Sequence, residues 1–320
     1  MSTALFGSLQ FGILYALMAL GVYLSFRILD FPDLTVDGSF VTGGAVAATM
    51  IVSGVHPIYA TCSAILAGFI AGCVTGILHT KGKINPLLSG ILMMIALYSI
   101  NLRIMGRANV PLLNEETMFT KLGSFWENSA AASILSVDWA ILLTMALITL
   151  AVKFLVDAFL KTEIGLAIRA TGDNKRMIRS LSANTDWLII LGLGLSNALV
   201  ALSGAFVAQY SGFTDISMGI GMIVIGLASV IIGEALFGTK TIVRTTFAVI
   251  GGAIIYRIVV AFALRVDFLE TGDMKLITAV IVIFALVAPK VIESFKEKRR
   301  RKQRHARHMA ANQKDGERLA

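Results

Sequence analysis

The chain has 320 residues, 56% hydrophobic and only 15% charged, with a mean hydropathy of +0.79. Soluble domains carry about 45–50% apolar and about 25% charged residues, so an ordinary soluble enzyme, a disordered chain and a fibrous one are excluded. The net charge of +8 belongs to the tail, because Lys290 to Ala320 hold 11 Lys/Arg against 4 Asp/Glu and the rest of the chain is left with +1. A basic stretch directly after an apolar segment reads as an anchor beside anionic membrane headgroups, not as a nucleic-acid site.

A span needs about 20 mostly apolar residues. In chain order the candidates are 5–26, 38–54, 59–78, 86–105, 138–159, 187–210, 217–237, 243–264 and 274–289. The first has no Lys/Arg ahead of it and reads as a retained transmembrane helix, not a secretory signal. The second is short and rich in Gly, Ala and Thr, a composition that fits a spanning, re-entrant or broken helix. Between these two lie Arg27, Asp30, Asp33 and Asp37, for which mutual pairing at the interface is the plain expectation. The third carries Gly68, Gly72 and Gly76 on one face, which permits close helix contact within the chain or against a second copy. Its Cys62 and Cys73 lie roughly 16 Å apart along the helix and cannot bridge.

The loop 106–137 is partly amphipathic, around Leu112-Leu113-Asn114-Glu115-Glu116 and Phe125-Trp126-Glu127. It suits a membrane surface, an external partner or a solvated connector. The loop 161–186 is more informative. Thr162 is placed to cap a helix over Glu163–Thr171, Gly172 fits its C-terminal end, and Asp173 is placed to cap a second helix over Asn174–Ser182. On that second helix Met177, Ile178 and Leu181 share one arc, with Lys175, Arg176 and Arg179 opposite. Two amphipathic turns are unstable alone and need a surface, either the bilayer or a cytoplasmic protein.

Further on, Phe213-Thr214-Asp215-Ile216-Ser217 echoes Phe31-Pro32-Asp33-Leu34-Thr35, each ahead of a Gly-rich apolar run. Counting Lys/Arg puts the tail, Arg27, Lys81, Lys83, the 161–186 loop, Lys240 and Arg244 in the cytoplasm, with the N-terminus outside if all nine segments cross. The two motifs then lie on opposite sides, as an inverted repeat would place them. Glu234 reads as a paired or snorkelled interfacial carboxylate, and Arg257 as a residue facing a path or pairing with Asp157 or Glu234. No phosphate-cradling loop, Gly-x-Ser-x-Gly elbow or metal-spaced histidine occurs. Catalysis, a cofactor and a metal are therefore not expected, and any uphill work must draw on a gradient or another subunit.

The stretch Thr162-Glu163-Ile164-Gly165-Leu166-Ala167-Ile168-Arg169-Ala170-Thr171-Gly172-Asp173-Asn174 resembles the cytoplasmic loop of bacterial ABC-importer permeases for branched-chain amino acids, ribose-type sugars and nucleosides. Gly165, Ala170, Gly172, Asn174 and Asn184 match its pattern, while Ser182-Ala183 stands where Gly-Ile is usual. Asp33-Leu34-Thr35-Val36 is similar to the sugar branch and Tyr15 to Gly21 to the first helix of the amino-acid branch. Phe31 to Ser39 and Gly219 to Ala228 look most like a branch labelled as tryptophan or tyrosine importers.

The resemblance implies an all-α polytopic membrane protein of about eight or nine transmembrane or re-entrant helices in the bacterial plasma membrane. Its permease domain would cover 1–290 and a basic cytoplasmic tail 291–320. It also implies a homodimer or heterodimer of permeases, a cytoplasmic ATPase and an external solute-binding protein or lipoprotein. Gly165, Arg169, Ala170, Gly172, Asp173, Asn174, Met177, Ile178 and Leu181 would form the ATPase contact. Asp33, Thr35, Asp37 and Asp215 stand as solute-path candidates. An ion-gradient-coupled carrier is the alternative reading, and a membrane scaffold a more distant one.

Overall fold

The computed structural model describes residues 2–127, 136–181 and 183–263, with scattered helical positions between 276 and 287. Most of the ninth segment, the basic tail, Ser182 and part of the 106–137 loop lie outside the described residues. The described chain is an all-α membrane protein. Its helices are α1 (Ser2–Val22, continued by a π-helical end Tyr23–Ile28), α2 (Thr35–Val52), α3 (Pro57–Thr80), α4 (Pro86–Met105), α5 (Met118–Glu127) and α6 (Val137–Lys161). They continue as α7 (Glu163–Asp173), α8 (Lys175–Ser180), α9 (Thr185–Ser211), α10 (Met222–Phe237) and α11 (Ile242–Ala263). A short antiparallel pair, β1 (Asn109–Pro111) and β2 (Phe213–Asp215), closes one end of the bundle. Among the described residues seven helices are long and apolar enough to cross a membrane: α1 with its π end, α2, α3, α4, α6, α9 and α11. With 16 residues, α10 is shorter.

The longest helix, α9, is the post around which the others stand. It runs antiparallel to α1, with Ser203 donating to the Leu14 carbonyl at 2.8 Å and Ser196 to the Gly21 carbonyl at 2.6 Å. Against α3 the glycine stripe does its packing within the chain: a Cβ on Gly68, Gly72 or Gly76 would collide with the α9 backbone at Asn197, Leu193 or Ile190. Against α2 the same logic applies to Gly43 facing Ala201 and Gly204 facing Phe40. Close backbone approach suits a membrane interior, where van der Waals packing replaces the hydrophobic effect as the drive for association.

Depth follows from these contacts. Asp33, just ahead of α2, bonds to Asn197 near the middle of α9. So α2 starts inside the bundle and runs toward the β1–β2 end, where Ala45, Ala48 and Ile51 pack with Met105, Val110 and Leu112. From β2 the chain turns back inward through 216–221 and α10 starts beside Asp37. It then runs the opposite way, to the end that carries α7 and α8, where Glu234 meets Arg27. The sequence segment 217–237 is thus five residues of turn and then a helix.

The two Asp-centred motifs share one local geometry. Asp33 Oδ1 accepts from the Thr35 amide at 2.9 Å, and Asp215 Oδ1 accepts from the Ser217 amide at 2.8 Å. The helices that follow point to opposite ends of the bundle, which is an inverted arrangement of two half-helices. They differ in burial, since Asp33 is fully buried and Asp215 lies at the β-pair end. At Asp215 partial burial pushes the carboxyl up, but hydrogen bonds from the Ser217 hydroxyl and amide and from Asn109 outweigh it and hold the group below its ordinary range.

If α2 is held by backbone contact with α9, a side chain at Gly43 has nowhere to go. Gly43→Val should lower the thermal unfolding midpoint of the detergent-purified protein by about 5 °C or more. Gly7→Val, where an added Cβ meets nothing within 4 Å, should leave it unchanged; a fluorescence-detected melting curve of both checks this.

Candidate functional site

The N-terminus of a helix leaves four N–H groups without partners. In a membrane interior no water is available to satisfy them. The start of α10 solves this with a carboxylate from α2: Asp37 Oδ1 accepts from the Ile223 amide at 2.8 Å and Oδ2 from the Gly221 amide at 3.0 Å. Its negative charge also complements the positive end of the α10 dipole. Gly221 has φ 87°, the left-handed region open to glycine, and Gly219 lies flush on the Asp37 carbonyl. Asp33 does the equivalent service for α2, accepting from Thr35 and, at 2.7 Å, from the Asn197 amide. Thr35 also shares a hydrogen bond of 2.8 Å with Thr75 of α3.

A cavity of about 460 Å³ opens beside this junction. Its walls are Asp37, Gly38 and Val41 of α2, Met94, Ile95, Tyr98, Ser99 and Asn101 of α4, and Ile216, Gly219 and Ile220 of the inward turn. Most of the lining is apolar. The polar groups are few; among them the buried Asn101 donates to the Gly38 carbonyl at 3.1 Å and accepts from Thr42 at 2.9 Å. Of the four solute-path candidates, Asp37 lines this cavity. Asp33 and Thr35 sit behind it in the α2–α3–α9 packing, and Asp215 stands at the β-pair end.

At the opposite end, Thr162 Oγ1 accepts from the Gly165 amide and caps α7, as its position in the sequence implies. The cap of the next helix differs from the expectation. Asp173 is the last residue of α7, and Asn174 Oδ1 accepts from the Met177 amide at 3.1 Å. The two helices abut so tightly that the capping position moves one residue on. The expected apolar arc also divides: Ile178 is buried against the bundle, while Met177 is 48% and Leu181 69% exposed. Ile164 and Leu166 of α7 are exposed beside them. Gly165 packs on the end of α6 and Gly172 on the Ile28 carbonyl. Arg169 and Asp173 line a polar cavity of about 570 Å³ with Tyr23, Arg27, Glu234 and Lys240. Ala170 is partly buried against the core.

The cluster does not pair with itself, because the irregular 29–34 segment carries its members to different helices. Arg27 goes to Glu234, Asp33 to Asn197 and Asp37 to α10. Arg257 takes neither expected partner; its guanidinium lies over the rings of Phe11 and Tyr15, 4.9 and 4.8 Å away. Asp157 is held by Lys153, at 2.6 Å and buried, and by Thr246 at 2.7 Å. Lys153 was legible as the i,i+4 partner of Asp157 within an apolar run; Asn101 and Asn197 were legible only as lone amides in spans. In the 106–137 loop, α5 is anchored to α9: Met118 donates to Gln209, and Phe119 packs edge-on against Tyr210. Among the described residues no group of three His, Cys, Asp or Glu is placed to hold a metal.

A family described as the permease component of branched-chain amino acid transport systems matches residues 4–287. The chain belongs to this family. It is 45% identical over 285 residues to a tyrosine transport system permease protein of Clostridioides difficile, covering 89% of this chain and 91% of that one. It is 38% identical over 187 residues to an uncharacterized protein of Rickettsia prowazekii, covering 58% of this chain and 61% of that one. Over 199 residues it is 26% identical to the ribose import permease protein of Escherichia coli, covering 62% and 59%. No solved structure matches the chain. This is a membrane permease of the ABC transport type, in a family of transport subunits and not of enzymes.

Replacing Asp37 separates its two contributions. Asp37→Ala leaves two partly buried amides without their acceptor and should cost about 1–3 kcal/mol, whereas Asp37→Asn keeps one acceptor and should cost less. The order wild type, Asn, Ala in thermal midpoint checks it.

Proposed function

We propose that this chain is the membrane subunit of an ATP-driven importer of an amino acid, with an aromatic side chain as in the tyrosine permease relative. The observation that carries this reading is the exposed pair Met177 and Leu181, on and just after the short helix α8 that Ile178 pins to the bundle. An apolar pair held rigid above a basic surface is a socket for a partner protein. In this reading the α7–α8 end is cytoplasmic. Arg27, Lys81, Lys83, Lys161, Arg169, Lys175, Arg176, Arg179, Lys240 and Arg244 lie there, against Arg103, Arg107 and Lys121 toward the other end, as cytoplasmic loops require. The partner is an ATPase whose nucleotide cycle moves α7 and α8.

The cavity beside Asp37 then receives solute from the outer end, delivered by an external binding protein at the surface formed by β1, β2 and α5. Its apolar walls suit a ring, and its few inner polar groups suit an amino acid's charged end. The mouth lies on the α4 flank, where Ile95, Tyr98 and Ile220 are exposed, so a second permease subunit, identical or related, would complete the wall. The lipid-facing remainder fits a multi-pass protein of the bacterial inner membrane with its C-terminus inside. The second reading, a gradient-coupled carrier, is favoured by one observation: inverted half-helices with N-termini at mid-depth are also how such carriers build their sites.

The two readings separate on purification. A tagged chain expressed with its neighbouring genes should bring down an ATPase in stoichiometric amount. Leu181→Asp should abolish that while leaving the chain in the membrane, and labelled tyrosine uptake should fall at least about tenfold. A chain that purifies alone and takes up tyrosine in liposomes under an ion gradient would instead establish the carrier.

A further inference from the structure

Both half-helices are tied to one short stretch of α1, and α7 presses on that stretch. A Cβ on Gly172 would collide with the Ile28 carbonyl oxygen, so α7 lies against the Ile28–Leu29 peptide with no side chain between them. Ile168 of α7 and Ile178 of α8 are buried in the same cluster as Ile28, Leu29 and Phe31. Just before this contact, Tyr23–Ile28 is wound as a π-helix, a rare form frequently found at functional sites. Just after it, Asp30 has φ 52°, an uncommon conformation for a residue with a side chain. Within the π-helical stretch, Arg27 Nε donates to Glu234 Oε1 at 3.0 Å, near the end of α10. The other end of α10 is the one capped by Asp37 at the cavity. Along the chain, the same corner leads through Asp33 into α2.

We infer that the Arg27–Glu234 ion pair is the link by which movement of α7 and α8 reaches the solute cavity, with α10 as the strut. Displacing α7 moves Ile28 and Arg27 with it. Arg27 draws the Glu234 end of α10, and the Gly221 end shifts against Asp37 and the cavity wall. Neither residue touches solute, so both are positioning residues. The pair joins α1 to α10 beside Arg169 and Asp173 of α7, with the Arg27 side chain 60% and the Glu234 side chain 17% exposed. The inference rests on the reading of the chain as an ATP-driven permease.

The test is made on the permease–ATPase complex in proteoliposomes, with labelled tyrosine uptake and ATP hydrolysis recorded together. Arg27→Glu and Glu234→Arg should each lower the solute moved per ATP by about tenfold while the complex still assembles and hydrolyses ATP. The milder Arg27→Gln should lower it less, and the exchanged double variant should recover to within about threefold of wild type. A structural role would instead reduce assembly and hydrolysis together and leave the ratio in place. Single variants with the wild-type ratio, or a double variant no better than the singles, overturn the link alone. A wild-type complex without ATP-driven uptake overturns the permease reading and the link with it.

Discussion

A helix that begins in the middle of a membrane exposes amides that hydrocarbon cannot satisfy, and Asp37 is the group that meets them for α10. The rest of the arrangement follows from that demand. The carboxylate must sit at mid-depth, so α2 must begin there as well. Asp33 and Asn197 fix that depth by tying the start of α2 to the centre of α9. Glycines facing Ala201 and Phe40 then let α2 lie close enough to α9 to hold the carboxylate in line with the α10 axis. The turn 216–221 must bring backbone right up to Asp37, which Gly219 and Gly221 allow.

Packing and charge act together on the helices around the cavity. The helices α2, α3 and α9 interlock through backbone contacts that leave no room for sliding. The helix α10 is packed along its length, with Gly226 against Val22 of α1 and Met222, Ile223 and Val230 in the core, and is tied at its two ends by carboxylates, its own Glu234 to Arg27 and Asp37 to its first amides. It also carries α11 closely, since Gly233 faces Ala248 and Gly252 faces Ser229, and α11 in turn lies close on α1, where Gly12 faces Ile254. The cavity lies between α2, α4 and the turn that leads into α10.

Much of this was legible in the sequence. Hydropathy located eight of the helices, because long apolar runs have no alternative to crossing. The echo between Phe31–Thr35 and Phe213–Ser217 marked both breaks, and Thr162 marked the start of α7. What the sequence hid depends on three-dimensional proximity. Asp37 and Gly221 are 184 residues apart, so nothing local announces that one caps the other. Arg27 and Glu234 read as separate interfacial charges for the same reason. Ile178 turns inward although its arc is shared with Met177 and Leu181, because in so short a helix the neighbouring body decides which residue is buried. Lys153 escaped notice in an apolar run, though its spacing to Asp157 was visible.

Control of the cavity by the Asp37 junction is open to thiol labelling in the cavity wall. A Ser99→Cys chain lacking Cys62 and Cys73, assembled with its ATPase, is treated with an impermeant thiol reagent from the outer side, with and without ATP and vanadate. The account predicts that labelling changes severalfold between the two ATPase states, and that adding Asp37→Ala removes this dependence while labelling itself persists. Equal dependence with and without the Asp37 carboxylate would contradict it.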